Sequence, residues 1–264
     1  MTAETPVRHQ GLLVTPLVHL PLFAPGMALG RELLAAAARQ GEALGAGDVL
    51  VVAQKIVSKC EGRAVRLGDM TPGEAAAKLV GATGRAAGLA QLILDESSEI
   101  MRASPAAIIA RHRTGHVLAN AGIDASNVEG GGDDTVLLWP RDPDASARAL
   151  RAELAALSGA VPAVVIADSL GRAWRVGTVG TAIGCAGLAA IDDQRGGTDL
   201  FGRTLQATVI AVADAVAAMA VLAMGEAAEG TPAAIVRGAA RWITVDDGPG
   251  MAPGLRPVEE DMFR

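Results

Sequence analysis

The segment GDVLVVAQKIVSKCEGR, residues 47–63, joins an apolar run to a cationic end. The apolar run, residues 48–52, has a glycine before it and polar residues after it, and it therefore predicts a buried strand. Lys59 and Arg63 follow this strand. Their charged groups would either face a phosphate group or form an ordinary solvated strand end, and the segment leaves both alternatives open.

Strand and helix signals alternate irregularly on both sides of that segment. Apolar runs predict further strands at residues 12–20, 106–110, 116–119, 163–166 and 233–236. Helical spacing or capping residues predict helices at 29–44, from Thr71, Pro72 and Glu74 onward, at 142–157 and at 204–224. Polar loops are predicted at 120–134, which is rich in glycine, and at 192–203, and glycines punctuate the stretch 177–187. Because no regular βα repeat is present, we predict an α+β fold class rather than a doubly wound sheet.

The composition excludes several classes of protein. Of the 264 residues, 50% are hydrophobic, so most of the chain is expected to fold around a substantial core and not to be disordered. Three Phe, three Trp and no Tyr offer few aromatic faces for stacking on bases. The formal net charge of -6 also argues against a basic nucleic-acid surface. We therefore expect no nucleic-acid partner.

Three features bear on the cellular compartment. Cys60 and Cys185 are far apart in the sequence and form no C-x-x-C pair, so both are expected to be reduced core thiols. The first ten residues lack a basic segment followed by an apolar run, so we expect no secretory signal and a cytoplasmic location. Residues 205–225 carry one charge, Asp214, over about the length that a bilayer requires. They are rich in Ala rather than Leu, so we expect a buried or interface helix and no membrane association.

Several common nucleotide and catalytic motifs are missing from the sequence. It contains no G-x-x-x-x-G-K-[ST] loop and no G-x-G-x-x-G after a strand. His112 and His116 are four residues apart without an H-E-x-x-H context, so they are expected to be ordinary strand or surface histidines. A P-loop nucleotide site and a zincin-type metal site are therefore not predicted.

Carboxylates and small polar residues lie beside glycines in three separate loops, at residues 120–127, 168–172 and 225–230. Carboxylate and hydroxyl oxygens are the ligands that hard divalent cations prefer, and Mg²⁺ sites in phosphoryl transfer combine one or two carboxylates with phosphate oxygens. Cationic residues occur near the same loops: Lys55, Lys59, Arg63, Arg172, Arg175 and Arg203. This pattern predicts metal-assisted binding of an anionic nucleotide. From spacing alone, the alternative is that Asp124 and Asp168 only cap turns.

Five ordered blocks of the sequence resemble the coenzyme F420-0:L-glutamate ligase family, the gamma-glutamyl ligases. They are GDVLVVAQKIVSKCEGR (47–63), NAGIDASNV (120–128), DPDASARALR (142–151), VVIADSLGRAWRVGTVGTAIGCAG (164–187) and MGEAAEGTPAAIVRG (224–238). The resemblance implies an α+β gamma-glutamyl ligase-type fold, with mixed sheets and helices in two intertwined subdomains, and a homodimer. We expect a ligase domain at residues 12–246 and a Pro/Gly-rich C-terminal tail at 247–264, without a C-terminal flavin reductase domain.

The resemblance also implies a reaction. Members of this family are GTP-dependent amide ligases, in which GTP phosphorylates the terminal carboxylate of coenzyme F420-0 and the amine of L-glutamate displaces the phosphate. The implied cofactors are two divalent ions, Mn²⁺ or Mg²⁺, with K⁺ as a monovalent ion. Metal ions offset the repulsion between two anionic reactants. Two alternatives are a related amide ligase that uses another amino acid or carboxylate, and a non-catalytic deazaflavin or nucleotide carrier on the same scaffold.

Matching motifs carry the family's site residues onto this sequence. The implied metal ligands are Asp124, Asp168, Ser169 and Glu226, with Glu229 as the alternative to Glu226, and Asp124 and Asp168 are also the implied catalytic residues. The implied nucleotide contacts are Leu20, Pro21, Leu22, Phe23, Gln54, Lys59, Asn127, Met224, Gly225, Glu226, Ala227, Ala228, Glu229, Gly230 and Thr231. Gln54 stands where the family often has Ser. Of the six aromatic residues, we expect Trp174, which follows Asp168 by six positions, to lie nearest the site.

Overall fold

A computed structural model describes residues 11–128 and 134–262 of the chain. The strands are β1 (Leu13–Pro16), β2 (Val49–Ala53), β3 (Ala64–Arg66), β4 (Ser97–Ala103), β5 (Ile108–His112), β6 (Val117–Ala119), β7 (Thr135–Leu137), β8 (Ala163–Gly171), β9 (Thr178–Ala186), β10 (Ile191–Asp193), β11 (Val209–Ala211) and β12 (Ala233–Arg237). The helices are α1 (Leu29–Arg39), α2 (Gln54–Cys60), α3 (Glu74–Thr83), α4 (Ala87–Glu96), α5 (Pro143–Ser158) and α6 (Val212–Met224). This mixture confirms the predicted α+β class.

The largest sheet has five strands in the order β1-β12-β2-β8-β9. Its neighbouring strands pair antiparallel, except that β2 and β8 run parallel. Ala53 at the end of β2 lies opposite Ala167 of β8. The carboxyl ends of the two parallel strands therefore meet at the same edge of the sheet.

Both faces of this sheet are buried, which explains the unbroken apolar runs in its central strands. In β2, Leu50 and Val52 belong to one hydrophobic cluster, whereas Val49 and Val51 belong to another. Helices α1 and α5 contribute to the first cluster, and α6 contributes to the second. Side chains alternate along a strand, so each face of β2 packs on different helices.

A third hydrophobic cluster lies outside the five-stranded sheet. It includes buried residues of α3, α4 and β5, together with side chains of the segments around residues 121–123 and 136–138. Strands β4, β5 and β6 form an antiparallel sheet here, and β3 pairs with β7. These smaller sheets present the loop that contains Asp124, because β6 leads directly into residues 120–122 and Asp124 bridges to Leu137 of β7.

Most of the predicted elements are present, and several of the bounds follow from local signals. Strands β2, β8 and β12 contain the predicted apolar runs. Helix α5 begins as predicted, because the Asp142 carboxylate accepts a hydrogen bond from the Ala145 N–H at 2.9 Å. Residues 129–133 of the predicted glycine-rich loop, the first ten residues of the chain and residues 263–264 of the tail lie outside the described residues.

Three predicted boundaries were wrong. The predicted cap at Thr71 is not used; α3 begins at Glu74, and the side chain of Gln91 on α4 accepts a hydrogen bond from the Gly73 N–H at 2.8 Å. The helix predicted at 204–224 begins at Val212, because Val209–Ala211 pairs with β10 instead. The strand predicted at 163–166 does not end before Asp168, since β8 continues to Gly171 in pairing with β9.

Two further expectations concern the cysteines and the bilayer. Cys60 and Cys185 are both free thiols, half-buried and buried respectively, as predicted. In residues 11–128 and 134–262, no helix combines the length and the apolar character needed to cross a membrane. Helix α6 is 13 residues long and buries one face against the sheet, which agrees with the prediction of a buried or interface helix.

Candidate functional site

A cavity of 580 Å³ opens where the parallel strands β2 and β8 end. Gln54 and Lys55 follow β2 directly, and Asp168 and Ser169 lie on β8, so the parallel pairing brings all four to the cavity wall. Ligands commonly bind at the carboxyl edge of parallel strands, where the chain leaves the sheet in loops. The volume is within the range of small-molecule and cofactor sites.

All residues that the resemblance assigns to the nucleotide line this one cavity. They are Leu20, Pro21, Leu22, Phe23, Gln54, Lys59, Asn127, Met224, Gly225, Glu226, Ala227, Ala228, Glu229, Gly230 and Thr231. They come from four separate parts of the chain: the β1–α1 connection, α2, the loop after β6 and the connection between α6 and β12. Tertiary folding therefore brings these segments together, and their contact with a nucleotide stays a prediction.

A bulge precedes Asp168 in its strand. The register between β8 and β9 shifts between Ile166 and Ala167, and such shifts turn the following side chains. Beside the shift, the Ala182 N–H of β9 donates to the Asp214 carboxylate of α6 at 3.0 Å. Burial raises the pKa of Asp214 above its ordinary value. Helix α6 thus supplies a buried acceptor to the strand pair that carries Asp168.

The Asp168 carboxylate has fixed partners on both oxygens. The indole N–H of Trp139 donates to Oδ2 at 2.7 Å, and the backbone N–H of Ser169 donates to Oδ1 at 2.9 Å. Burial raises the pKa of Asp168, and the hydrogen bond from Trp139 and the charge of Lys55 offset part of that rise. A carboxylate held in this way is a well-oriented oxygen donor at the cavity wall.

Asp124 follows a tight left-handed turn. Residues 120–122 have successive φ values of 51°, 52° and 73°, a region that glycine adopts far more easily than other residues. A Cβ atom on Gly122 would lie 2.5 Å from atoms of the Trp139 ring. The turn before Asp124 therefore packs directly on the ring that binds Asp168.

Lys55 is the closest charged partner of Asp124. Its Nζ lies 2.5 Å from Oδ2 of Asp124, and the Ser126 N–H and hydroxyl donate to the same carboxylate at 2.7 and 3.0 Å. Burial alone would raise the pKa of Asp124, but the hydrogen bonds from Lys55 and Ser126 outweigh it and hold the pKa below its ordinary value. Asp124 does cap its own turn through Ser126, as the turn-cap alternative predicts, and it also forms an ion pair with Lys55.

The third predicted loop contains two glutamates in different surroundings. Glu226 accepts hydrogen bonds from the Thr178 hydroxyl of β9, with oxygen–oxygen distances of 3.0 and 3.2 Å. Glu229 instead accepts the Ala227 N–H of its own loop at 2.7 Å. A Cβ on Gly225 would lie 2.3 Å from Cδ of Glu229, so that side chain is folded against the loop. Glu226 is therefore the better placed of the two to serve as a ligand.

Hydrogen bonds connect three of the segments that surround the cavity. Lys59 of α2 donates to the Asn127 carbonyl at 2.7 Å, and the Asn127 side chain donates to the Ala227 carbonyl at 3.3 Å. These contacts link α2 and the loop after β6 to the connection between α6 and β12. Three of the four segments that line the cavity thus form one continuous wall.

The implied metal ligands provide the oxygen donors that Mg²⁺ and Mn²⁺ prefer. Asp168, Ser169 and Glu226 line the cavity, and Asp124 is joined to it through Lys55. In the part of the chain that the structure describes, no three His, Cys, Asp or Glu side chains converge closely enough to hold a metal ion. In this structure the cation beside the Asp124 carboxylate is the ammonium of Lys55. The donor set fits a site that phosphate oxygens of a nucleotide would complete.

The structure excludes the phosphate-facing alternative for Arg63 and shows the surroundings of Gln54 and of three further cations. Arg63 does not face a phosphate, because its buried guanidinium donates to the Trp139 carbonyl at 2.8 Å and pairs with Glu96 at 3.0 Å. Gln54 lines the cavity, yet it is buried and its side-chain oxygen accepts the Ser58 hydroxyl. The remaining predicted cations, Arg172, Arg175 and Arg203, are exposed and lie outside the cavity lining.

The expectation for the aromatic residues was also wrong. Trp174 is 86% exposed in the turn between β8 and β9, whereas the fully buried Trp139 contacts Asp168. Sequence reasoning missed Trp139, and it also missed the roles of Lys55 and Thr178 as partners of the predicted ligands. A buried Trp usually needs an acceptor for its N–H group. No local pattern identifies that acceptor 29 residues away.

Comparison with known proteins finds relatives over most of the chain. A family model described as F420-0:Gamma-glutamyl ligase matches residues 17–238. The chain is 44% identical over 245 residues to a protein of Methanothermobacter thermautotrophicus named coenzyme F420:L-glutamate ligase, with 93% of this chain and 96% of the relative covered.

Two further relatives bear the same name. A protein of Archaeoglobus fulgidus is 42% identical over 251 residues, which cover 95% of this chain and 96% of the relative. A protein of Methanocaldococcus jannaschii is 42% identical over 219 residues, which cover 83% of this chain and 85% of the relative. The family-model match at residues 17–238 includes every segment that lines the cavity.

Proposed function

The chain belongs to the F420-0:gamma-glutamyl ligase family, and on that basis we propose that it joins L-glutamate to coenzyme F420-0. The proposed reaction consumes GTP, passes through an acyl phosphate and releases GDP and phosphate. One observation carries the proposal: a single cavity collects all the implied nucleotide residues beside the implied acidic ligands.

The nucleotide is proposed to occupy this cavity. Lys59 would place a positive charge near its phosphates, and the glycines of the 224–231 loop allow backbone N–H groups to approach phosphate oxygens closely. Residues 20–23 supply apolar surface, including Leu22, which is 84% exposed and therefore accessible to a flat ring. With few aromatic side chains at the site, most of the affinity would come from phosphate and backbone contacts.

Asp124, Asp168, Ser169 and Glu226 are the residues that would hold Mn²⁺ or Mg²⁺, and K⁺ remains part of the proposal. Bound divalent ions polarise phosphate oxygens and offset the repulsion between GTP and a substrate carboxylate. The protein's contribution is to hold these oxygen donors in place: Trp139 orients Asp168, and Thr178 contacts Glu226. The cavity would also align the two anionic reactants, since phosphoryl transfer depends mainly on positioning and charge stabilisation.

The two chemical steps are balanced without a redox change. A carboxylate oxygen of coenzyme F420-0 forms a bond to the γ-phosphorus while the bond from that phosphorus to the β,γ-bridging oxygen breaks, and GDP leaves. The neutral amine of L-glutamate then attacks the acyl carbon, the bond from carbon to the phosphate oxygen breaks, and the amine loses a proton. The product is an amide.

We also propose a homodimer. Large apolar side chains are exposed on two hairpins: Val176 near the turn between β8 and β9 is 100% exposed, and Leu200 and Phe201 between β10 and β11 are 100% and 89% exposed. Exposed apolar patches commonly mark interaction surfaces. Analytical ultracentrifugation should show a dimer for the wild-type protein and a shift toward monomer for the double variant Val176→Ser, Phe201→Ser. A monomeric wild type would contradict this part.

Mass spectrometry tests the reaction directly. We expect protein incubated with GTP, Mn²⁺, L-glutamate and F420-0 to produce a glutamate adduct together with GDP. No adduct with Mn²⁺ or Mg²⁺ would reject the ligase, whereas binding without turnover would favour the carrier alternative. GMP and pyrophosphate as products would reject the acyl-phosphate route. Competition between L-glutamate and other amino acids distinguishes a related ligase.

A further inference from the structure

Lysine is rare in this chain, and its distribution is uneven. Of the 23 Lys and Arg residues only three are lysines, namely Lys55, Lys59 and Lys78. Lys55 and Lys59 lie on α2 and line the cavity, whereas Lys78 is exposed on α3, where it pairs with Glu74 at 3.0 Å. Outside the cavity the chain has one Lys and otherwise Arg, whereas both cationic positions of the cavity wall are Lys.

Arg and Lys differ in the way they bind anions. Arg presents a planar fork, whereas Lys presents a compact point charge on a flexible four-carbon stem. A compact ammonium can fill the space beside one carboxylate oxygen, leave it and turn toward another anion. Lys at position 55 is therefore suited to a cation that moves between two anionic partners.

Lys55 pairs with Asp124 and lines the cavity together with Asp168. Its Nζ is 2.5 Å from Oδ2 of Asp124, and its charge also favours the ionised form of Asp168. The charge of Asp124 acts on Asp168 in the opposite direction. The side chains of Lys55 and Asp124 are only 23% and 37% exposed, so water screens these charges incompletely. Lys55 thus forms an ion pair with Asp124 and contributes positive charge near Asp168.

A divalent ion at Asp124 would compete with that ammonium. Mg²⁺ binds oxygen at about 2.0–2.1 Å, so an ion on Oδ2 would occupy the place in which the Lys55 ammonium lies. The two positive charges would also repel each other. Lys55 lines the cavity together with Lys59 and Ser169, so an ammonium that leaves Asp124 can enter the space proposed for the nucleotide.

We propose that Lys55 is the resident counter-ion of Asp124 and Asp168, that a divalent metal displaces it, and that the released ammonium then binds phosphate oxygens of the nucleotide. The last part rests on the proposed function, whereas the exchange with metal does not. Lys55 would keep its proton throughout and would neither donate nor accept one. The positive charge of Lys55 thereby moves from the two carboxylates to the phosphates.

Mn²⁺ binding in the absence of nucleotide tests the exchange. We expect Lys55→Met to bind Mn²⁺ about tenfold more tightly than the wild type, measured from the electron paramagnetic resonance signal of free Mn²⁺, because the competing cation has been removed. Lys78→Met is the matched control and should not change the affinity. Lys59→Met, whose ammonium contacts a carbonyl and not Asp124, should change it by less than about twofold. Equal or weaker binding by a folded Lys55→Met protein would overturn the proposal.

Chemical labelling tests the same exchange without a variant. With three lysines, acetylation at each position can be read separately by mass spectrometry. We expect Mn²⁺ alone to increase the labelling of Lys55 relative to Lys78 by about threefold or more, since an ammonium released from a carboxylate is more accessible. A non-hydrolysable GTP analogue added with Mn²⁺ should reduce it again. Labelling of Lys55 that Mn²⁺ leaves unchanged or lowers would overturn the exchange.

Ligation provides the distinguishing measurement. Lys55→Met should lower turnover although it binds Mn²⁺ more tightly, and a purely structural role would not move the two quantities in opposite directions. Lys55→Arg keeps the charge and should still lower turnover. If the wild type does not ligate but the Mn²⁺ results hold, the ligase proposal fails and the counter-ion role stands. If ligation occurs and the Mn²⁺ results fail, only the role of Lys55 is rejected.

Discussion

The indole N–H of Trp139 donates a hydrogen bond of 2.7 Å to Oδ2 of Asp168. Trp139 is fully buried, and the rings of His112 and His116 lie 5.0 and 5.5 Å from its own. The main chain of Gly122, two residues before Asp124, packs on the same indole. One aromatic side chain of the first hydrophobic cluster therefore contacts Asp168, the turn before Asp124 and the two histidines.

Replacement of Trp139 by Phe removes the hydrogen bond but keeps a ring in the core. Because partners of metal-binding carboxylates typically contribute about 10–100-fold to metal affinity or activity, we expect a loss in that range in ligation and Mn²⁺ titration. Trp242→Phe is the matched control, since its indole binds Asp192 at 3.0 Å and not a residue of the cavity. Equal effects of the two substitutions would show that Trp139 does not position Asp168.

Gly122→Ala should disturb both acidic segments. The added Cβ meets the Trp139 ring at 2.5 Å, and φ at this position is +73°, so we expect the free energy of unfolding to fall by about 2–4 kcal/mol. Gly84→Ala has a similar φ of +69° with nothing within 4 Å of the new Cβ, so it should cost only about 1 kcal/mol. Urea unfolding of both variants measures the difference, and equal losses would contradict the packing argument.

Asp124→Asn and Asp168→Asn should each lower turnover by about 100-fold or more, because each removes a negative charge from the proposed metal site. The sequence context of Asp168 indicated a loop, but the residue lies within β8. Asn can still accept the hydrogen bond from Trp139, so thermal unfolding should change little. Unchanged turnover in either folded variant would mean that the metal ligands are misassigned.

The pH dependence of stability should contain a contribution from His116. Burial, and then the nearby His112, lower the pKa of His116 from 6.5 to about 4. Between these values the unfolded chain binds a proton that the folded protein does not, so stability falls as the pH falls through this window. The full contribution approaches about 3 kcal/mol.

The measurement compares wild type with His116→Gln by urea unfolding from about pH 7 to pH 4. Aspartates with raised pKa values, such as Asp214, act in the opposite direction and cancel in the comparison. We expect the wild type to lose stability relative to the variant as the solution is acidified. Parallel curves would exclude a buried neutral His116.

Asp214 offers a pair of substitutions with opposite effects. Asp214→Leu leaves the Ala182 N–H without its acceptor and should destabilise the protein by about 1–3 kcal/mol. Asp214→Asn keeps an acceptor oxygen and removes a buried charge whose pKa is raised, so its stability at neutral pH should equal or exceed that of the wild type. If Asp214→Asn destabilises the protein as much as Asp214→Leu does, the negative charge itself is required.

Local sequence was sufficient to predict an element when the residues that determine that element lie within one short segment. The apolar runs of β2, β8 and β12 predict strands buried on both faces, and the capping Asp142 predicts the start of α5. Family motifs also named the segments that line the cavity, because each motif is contiguous. The α+β class, the free cysteines and the segments that line the cavity could therefore be predicted from the sequence.

Tertiary contacts determined the element bounds and side-chain partners that depend on residues distant in the sequence. Asp168 belongs to a strand because β9 pairs with it, and helix α6 begins late because Val209–Ala211 pairs with β10. Trp139 rather than Trp174 contacts Asp168, and Arg63 pairs with Glu96 instead of facing the cavity. Hydrogen bonds and ion pairs between residues 29 to 69 positions apart leave no local pattern in the sequence, so the partners of Asp168, Arg63 and Asp124 emerge only when the chain is folded.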